Sequence, residues 1–336
     1  MAQQARFAVS AAVILILTSV AFPQHYTIQD LGALPDLPCT AAADMSAQRV
    51  VGTSGYCGAY FHAFLWSPKA GLQDLGALPG GNYSQGYGVN SHGVVVGEAV
   101  GLANDNYYIH AFSWTRATGM RDLGILPGGT YSRATGINGS GLIVGYGDFP
   151  NAGTFTHAIL WSQSGMTDLG AITGQTESVA AAISHDGDVV GDAGGIAALW
   201  RADGTYWNLG TLPGGYASRA VAISGHHIVG WSNSTGLPRA FLWTKTKGMR
   251  DLGLLPNGTL SVATGVDGRR VVGYGDNSGF IWTPEGGMKN LNDLIVNGAG
   301  SHVTFASDIN SAGQIAAIGN ASGDSKTHSF LLTPVP

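Results

Sequence analysis

Short apolar runs, each bounded by Gly, Pro, Asn or Asp, follow one another along almost the whole chain. One of them, an apolar pair followed by Gly or Ala, occurs seven times. Apolar runs of this length between turn residues predict β-strands, and only the N-terminal region lacks them. The seven apolar pairs begin at Val50, Val95, Ile143, Val189, Ile228, Val271 and Ile315.

Three further elements recur with each apolar pair, so the repeat has four strands, called A to D here. Strand A begins with a hydroxyl side chain, at Thr40, Ser84, Ser132, Ser178, Ser218, Ser261 and Thr304. Strand B holds the apolar pair. Strand C reads HAFLW or a variant, at residues 62–66, 110–114, 157–161, 196–200, 239–243, 278–282 and 328–332. Strand D leads into a D/N-L-G element that begins at Asp30, Asp74, Asp122, Asp168, Asn208, Asp251 and, in weakened form, Asn290.

Seven copies of a four-stranded unit predict an all-β fold, a seven-bladed β-propeller of four-stranded antiparallel blades. Strand C is apolar on both faces, which suits a blade packed between two others. Strand A carries small residues, which suit the crowded axis. A lone strand D lies at residues 26–32 and a lone strand C at residues 328–332. We therefore expect the N-terminal strand to complete the last blade and close the ring.

The N-terminal region has the features of a secretion signal. Arg6 is the only charge before an apolar stretch at residues 7–21, which ends in small residues. This arrangement indicates a signal peptide over residues 1–21 and one propeller domain over residues 22–336. The stretch is shorter than the roughly 20 residues of a spanning helix, although a retained anchor is the alternative. We expect a secreted protein, extracellular or associated with the cell surface, without a membrane span in the mature chain.

The two cysteines, Cys39 and Cys57, both lie in the first repeat. With Ala47 and Gln48 as a two-residue hairpin turn, Cys39 faces Tyr56, one step from Cys57. The sequence therefore predicts a disulfide between them, which is consistent with an oxidising compartment.

Charge is sparse. Charged residues make up 11% of the chain, the net charge is −5, and no basic run occurs, which argues against a nucleic-acid partner. Hydrophobic residues make up 44%, enough for a large core. The partner class that these properties favour is a polysaccharide or another envelope polymer.

The recurring His-Ala-Phe-Leu-Trp, Met-x-Asp-Leu-Gly and Ile-Asn-x-x-Gly-x-Val-Val-Gly elements resemble those of the HAF repeat family of extracellular bacterial repeats. The resemblance implies secretion and a repeat fold, and it brings no activity, substrate or catalytic residue with it. The chain departs from the pattern where the His of strand C is replaced, at Ile196, Arg239 and Ser278, and where Trp becomes Leu332.

Two carboxylates interrupt the small residues of strand A. Four residues after the hydroxyl, five repeats have Gly or Ala, whereas the first and last have Asp44 and Asp308. Because these two blades are neighbours in a closed ring, the pair could hold a cation or act as an acid–base pair. The alternative is that each carboxylate caps a backbone N–H at the closure seam. No other cofactor is expected.

Aromatic residues gather in the loops of one face. In an antiparallel blade the B–C and D–A loops emerge on the same side, and the B–C loops vary most in length. Tyr107 and Tyr108 lie in the B–C connection of the second repeat, and Tyr83 and Tyr131 lie in D–A connections. Aromatic rings among Asn and Gly suit a neutral polar ligand such as a glycan. The alternative is that these tyrosines merely cover the tops of the blades.

The sequence leaves three classes of function open. The first is a non-enzymatic extracellular binding or surface-scaffold propeller. The second is a carbohydrate-active hydrolase or lyase with its site at the channel mouth, and the third is a structural protein of the envelope. The repeated His and hydroxyl positions favour packing or capping roles, because seven equivalent hydroxyls have no paired base.

Overall fold

The computed structural model describes residues 25–103, 106–149, 155–170, 176–234, 236–298 and 300–335. These residues form seven four-stranded antiparallel sheets, and the all-β propeller is confirmed. The one helical element among them is a 3-10 turn, η1, at Leu291–Asp293. No helix in this part of the chain is long and apolar enough to cross a membrane. The expected signal peptide, residues 1–21, lies outside the described residues.

Each blade runs from strand A at the axis to strand D at the rim. Blade 1 contains β2 (Cys39–Ser46), β3 (Arg49–Tyr56), β4 (Ala59–Ser67) and β5 (Gly71–Asp74). Blade 2 contains β6 (Ser84–Val89), β7 (Val95–Ala103), β8 (Asn106–Thr115) and β9 (Gly119–Asp122). Blade 3 contains β10 (Ser132–Ile137), β11 (Ile143–Phe149), β12 (Phe155–Ser162) and β13 (Gly165–Asp168). Blade 4 contains β14 (Ser178–Ile183), β15 (Val189–Ala193), β16 (Ile196–Trp200) and β17 (Tyr206–Gly210).

The remaining blades follow the same order. Blade 5 contains β18 (Ser218–Ser224), β19 (His227–Asn233), β20 (Pro238–Thr244) and β21 (Gly248–Asp251). Blade 6 contains β22 (Val262–Asp267), β23 (Arg270–Gly275), β24 (Ser278–Thr283) and β25 (Gly287–Asn290). Blade 7 contains β26 (His302–Ile309), β27 (Ile315–Asn320), β28 (Thr327–Val335) and β1 (His25–Asp30).

Adjacent blades pack through the apolar pair of strand B and the aromatic residues of strand C. Phe112 of blade 2, for example, is fully buried in one cluster with Val51 and Ala63 of blade 1. The glycine after the apolar pair makes room for strand A of its own blade, because a Cβ at Gly97 would lie 1.9 Å from the carbonyl oxygen of Gln85. The repeated core is therefore built between blades rather than within them.

Strand A of every blade contains a β-bulge directly after its small residue. The bulge adds one residue to strand A, so in blade 1 Cys39 pairs with Gly55. The expected pairing of Cys39 with Tyr56 is therefore wrong by one position. The disulfide between Cys39 and Cys57 is confirmed, with the two Cα atoms 5.0 Å apart.

The hydroxyl at the start of strand A joins each blade to the one before it. In blade 2, Ser84 Oγ accepts a hydrogen bond from the backbone N–H of Ala63 (2.9 Å) and donates one to the carbonyl of Gly76 in the D–A loop. The same two bonds to the preceding blade and its D–A loop are made by Ser132, Ser178, Ser218 and Ser261. Across the seam, Thr40 accepts from the N–H of Ser329.

Thr304 does not belong to this ring, contrary to the sequence pattern. A second bulge in β26, between Val303 and Phe305, moves Thr304 out of register, and its hydroxyl donates to Ile318 of its own blade instead. The backbone N–H of Val303 is satisfied by the side chain of Asn292 at 2.8 Å.

The repeated His of strand C pairs with the Asp of the D-L-G element on strand D. His62 Nδ1 lies 2.9 Å from Asp74 Oδ2, and the other oxygen of this carboxylate accepts from the N–H of Gly76. The same pairing joins His110 to Asp122, His157 to Asp168, His328 to Asp30, and Arg239 to Asp251. The His thus holds the outermost strand through a side-chain pair, and the backbone capping expected of it is done by the Asp.

The N-terminal strand closes the ring. β1 pairs with β28 along its whole length, from His25 opposite Val335 to Asp30 opposite Phe330. Tyr26 is fully buried in the blade 7 core, and its backbone N–H donates to Leu294 at 2.8 Å. The outer edge of blade 7 is therefore filled from the opposite end of the chain.

Blades 7 and 1 meet through two polar contacts of kinds that also occur at other blade pairs, and through a pair of carboxyl groups. Asn310 Nδ2 donates to the carbonyl of Ala47 at 2.6 Å, and Ser307 donates to that of Ala42. Asp308 donates a hydrogen bond to Asp44, whose Oδ2 accepts from the backbone N–H of Val89 at 2.8 Å. Burial and the neighbouring Asp44 charge raise the pKa of Asp308 well above its usual value. Burial also raises the pKa of Asp44, partly offset by its hydrogen bonds.

The disulfide predicts a thiol result. We expect the denatured, unreduced protein to contain no titratable thiol, because both cysteines are bonded. Reduction is expected to lower stability by about 3 kcal/mol, since the bond closes a short loop in the unfolded chain. Two free thiols per chain before reduction would contradict the pairing.

Closure by β1 predicts a strong truncation effect. A chain that begins at Ala33 is expected to melt about 10 °C or more below one that begins at His25, or to aggregate, because its blade 7 edge is unpaired and the Tyr26 site is empty. Thermal melting and light scattering measure both outcomes. Equal melting temperatures would show that the ring does not depend on this strand.

The Asp44–Asp308 pair predicts a pH dependence of stability. The pKa of Asp308 is raised in the folded state, so its contribution to stability is complete below its unfolded pKa and is lost as the pH rises through the folded value. We expect Asp308→Asn, which keeps a neutral hydrogen-bond donor, to be more stable than wild type at neutral pH and to lose this advantage towards about pH 4.

Melting curves over this pH range, with Asp36→Asn as the exposed-carboxylate control, test the prediction. Parallel pH profiles of wild type and Asp308→Asn would contradict a shared proton. A chelator that lowers the melting temperature of wild type but not of Asp308→Asn would show a bound cation instead.

Candidate functional site

Blade 2 carries an extended hairpin on the face formed by the B–C and D–A loops. β7 and β8 continue their pairing to Leu102 opposite Tyr107, beyond the expected end of the strands. The D–A loop supplies backbone partners for this extension, because Val100 N donates to Tyr83 O and Leu102 N donates to Pro79 O. Tyr107 and Tyr108 therefore lie on strand β8, and their placement in an irregular loop is wrong.

A cavity of about 590 Å³ lies between the blade 2 hairpin and the loop that leads into blade 3. Three of the four predicted tyrosines, Tyr107, Tyr108 and Tyr131, line it together with Asn82 and Thr130. The tyrosine rings differ in exposure. Tyr107 is 72% exposed, whereas Tyr108 is half-buried, lies over Gly101 and contacts the ring of His110 at 4.3 Å between centroids.

Tyr131 is held firmly at the wall of this cavity. The carboxylate of Asp148 accepts hydrogen bonds from the backbone N–H groups of Thr130 and Tyr131, each at 2.7 Å, and from the Thr130 hydroxyl. These bonds lower the pKa of Asp148 even though burial opposes them. The Tyr131 hydroxyl donates to Glu98 Oε2 at 2.9 Å, so both ends of the side chain are fixed.

Glu98 organises a cluster that the sequence analysis missed. It is 3% exposed, and its carboxylate accepts two hydrogen bonds from the Arg133 guanidinium, each at 2.8 Å. It also accepts one from the Tyr87 hydroxyl (3.1 Å) and one from the Tyr131 hydroxyl. Such a buried bidentate ion pair is favourable only when every remaining acceptor is used, as it is here. The signal that could have revealed it is a glutamate directly after the strand B glycine, where Thr53 and Tyr146 stand in blades 1 and 3.

Tyr83 is separate from the cavity. Its ring packs edge-on against Phe61 with centroids 6.1 Å apart, and its hydroxyl reaches the Glu98 cluster. Burial and the Glu98 charge raise its pKa, and the same two causes raise the pKa values of Tyr87 and Tyr131. These tyrosines therefore remain protonated hydrogen-bond donors.

The central channel is the second cavity of interest, with a volume of about 660 Å³. Arg133 lies in its wall between the rings of Tyr87 and Tyr146, 5.0 and 5.6 Å from their centroids. Arg219 of blade 5 occupies the position equivalent to Arg133 and pairs with Asp192 at 3.3 Å. In blades 3 and 5 the residue directly after the strand A hydroxyl thus faces the channel, because side chains alternate along a strand.

Asp44 and Asp308 also lie in the channel wall, as the sequence predicted. The described residues contain no group of three or more His, Cys, Asp or Glu arranged to hold a metal. A hard cation prefers about six oxygen ligands, so one held at this pair would take the others from backbone carbonyls and water.

No family model and no curated protein matches the chain. Among solved structures, a streptogramin B lyase is similar over 93% of this chain and 98% of its own, with 12% identity and a TM-score of 0.54. An oligogalacturonate lyase from Vibrio parahaemolyticus is similar over 92% of this chain and 93% of its own, with 10% identity and a TM-score of 0.56.

A third similar structure is that of a prolyl endopeptidase, with 12% identity and a TM-score of 0.55. It matches 87% of this chain, which spans only 46% of that protein. At these identities the likeness shows the propeller fold and no shared activity.

Proposed function

We propose that the protein is a secreted, non-enzymatic binding propeller that holds a neutral glycan at the cavity between blades 2 and 3. The observation that carries the proposal is the set of three tyrosines around one cavity, with an amide and a hydroxyl beside them. None of the described residues that line it is charged. Tyrosine faces stack on sugar rings while Asn82 and Thr130 offer hydrogen bonds to their hydroxyls.

The rigidity of the wall supports this function. Tyr131 is fixed by Glu98 and Asp148, so little side-chain freedom is lost when a ligand binds against it. Tyr107, by contrast, presents a largely exposed ring to the ligand. A fixed ring beside an exposed one is a suitable arrangement for binding a sugar chain.

The same contacts favour binding over the hydrolase or lyase alternative. The raised pKa values of Tyr87 and Tyr131 make both side chains poor general bases. Two of the described carboxylates contact residues of the cavity wall, and both are already engaged. Glu98 accepts from Arg133 and from these tyrosines, and Asp148 accepts from Thr130 and from the backbone N–H of Tyr131. Secretion is part of the proposal on the strength of the N-terminal sequence, the HAF-like motifs and the disulfide.

Replacement of Tyr107 tests the site without disturbing the core. We expect Tyr107→Ala to weaken binding of a glycan identified on an array about tenfold, because the loss of an aromatic contact at a binding site costs on the order of 1 kcal/mol or more. The melting temperature should stay within about 2 °C of wild type, since the ring is exposed. Isothermal titration and thermal melting give the two numbers.

Tyr216 provides the matched control, because it is 76% exposed in a D–A loop on the same face, away from the cavity. Tyr216→Ala should bind the glycan as wild type does. Equal losses in the two variants, or full binding by Tyr107→Ala, would contradict the assignment. Tyr131 is unsuitable for this test, because its removal also disturbs Glu98.

A further inference from the structure

A positively charged groove lies on the face opposite the tyrosine cavity. It is a cavity of about 810 Å³ formed by the A–B and C–D turns of blades 1 and 2. Arg49, Lys69 and Arg116 line it, and no carboxylate is present among the described residues in its wall. We call it the basic groove.

The three cations of this groove lie at one cavity, and none of them has a carboxylate partner in the residues that the structure describes. Among the described residues, Arg49, Lys69 and Arg116 form no salt bridge with any Asp or Glu. Six other arginines do, namely Arg133, Arg201, Arg219, Arg239, Arg269 and Arg270. In a chain of net charge −5, three unpaired cations at one cavity create a local positive potential that the overall charge does not suggest.

Arg49 is held in place. Its Nη1 donates to the carbonyl of Ser91 in the neighbouring blade at 3.0 Å, and its side chain packs against Gly93, where a Cβ would approach Nε to 3.1 Å. Its other N–H groups have no acceptor within the described part of the chain. The guanidinium is therefore fixed at the groove with donors to spare, which suits a planar anion such as carboxylate.

The rest of the groove is suited to a sugar chain. Gln73, Ser67 and His92 provide further hydrogen-bonding groups between the cations, and Leu65 provides an apolar surface. Nucleic acid fits less well, because its dense phosphate charge calls for a long basic surface rather than one three-cation groove.

We propose that the basic groove binds an acidic polysaccharide, that is, a sugar chain bearing carboxylate or sulfate groups. The groove would give the propeller a second binding surface, on the side opposite the neutral-glycan cavity. The two sites share no residue, so this proposal does not depend on the first.

Affinity electrophoresis through gels that contain polygalacturonate, dextran sulfate or neutral dextran tests the groove. We expect polygalacturonate or dextran sulfate to retard the protein at low salt, with less retardation as salt rises, and neutral dextran to have no effect. The acidic polymer that retards more strongly identifies the anionic group. Tyr107→Ala should be retarded as wild type is, which separates this test from that of the tyrosine cavity.

Charge reversal with a matched control locates the site. Lys69→Glu/Arg116→Glu should weaken binding about tenfold, because two attractive contacts become repulsive. Lys247→Glu/Lys289→Glu makes the same change in net charge at exposed positions of blades 5 and 6 and should bind as wild type does. All four positions are exposed, so melting temperatures should change little.

Three outcomes would overturn the proposal. The first is equal weakening in both double variants, which would show a dependence on net charge alone. The second is the absence of retardation by either acidic polymer. The third is tighter binding of a single-stranded oligonucleotide than of either polysaccharide, which would assign the groove to nucleic acid.

Discussion

The whole ring depends on one hydrogen-bonded joint between consecutive blades. Ser84 shows its form: one buried hydroxyl accepts from a strand C backbone N–H of the preceding blade and donates to a D–A loop carbonyl. Loss of a buried partner of this kind costs about 1–3 kcal/mol, because both backbone groups are then left without one. The full joint occurs at five of the seven blade junctions, where it fixes the position of each blade and of the loop that leads into it. The loops that carry Tyr131 and Tyr216 are therefore mounted on a rigid scaffold.

The pairing of strands C and D shows that the repeats change in a correlated way. Five blades have His or Arg on strand C and Asp on strand D, as in His62 with Asp74. The two blades that lack this His or Arg, at Ile196 and Ser278, have Asn208 and Asn290 instead of Asp. Asn208 still caps its turn, since its side chain accepts from Gly210 N–H at 2.8 Å. The His or Arg of strand C and the Asp of strand D are therefore replaced together, while the side chain that caps the turn is kept.

Most of the fold could be predicted because each strand carries its own local signal of apolar residues and turns. What could not be predicted is set by packing at the axis. The bulges of strand A leave no mark in the hydrophobic pattern, so the register of Cys39 was wrong by one residue and Thr304 was wrongly placed in the hydroxyl ring. The blade 2 hairpin was read as a loop because its Gly and Asn residues look like turn residues, whereas backbone bonds from Tyr83 and Pro79 keep it extended.

The candidate sites follow from departures from the repeat, since a scaffold of near-identical blades has no unique position otherwise. Aromatic residues that depart from the repeat, such as Tyr107, can be recognised within one stretch of sequence, and three of them line the cavity. Glu98 and Arg133 were missed because their partnership joins strands of two blades. The basic groove was missed for the same reason: its cations come from separate turns, and each one alone looks like an ordinary surface charge. In a propeller, the residues of one site are thus distant in sequence but adjacent across a blade interface. Such sites can be found when the repeats are compared position by position.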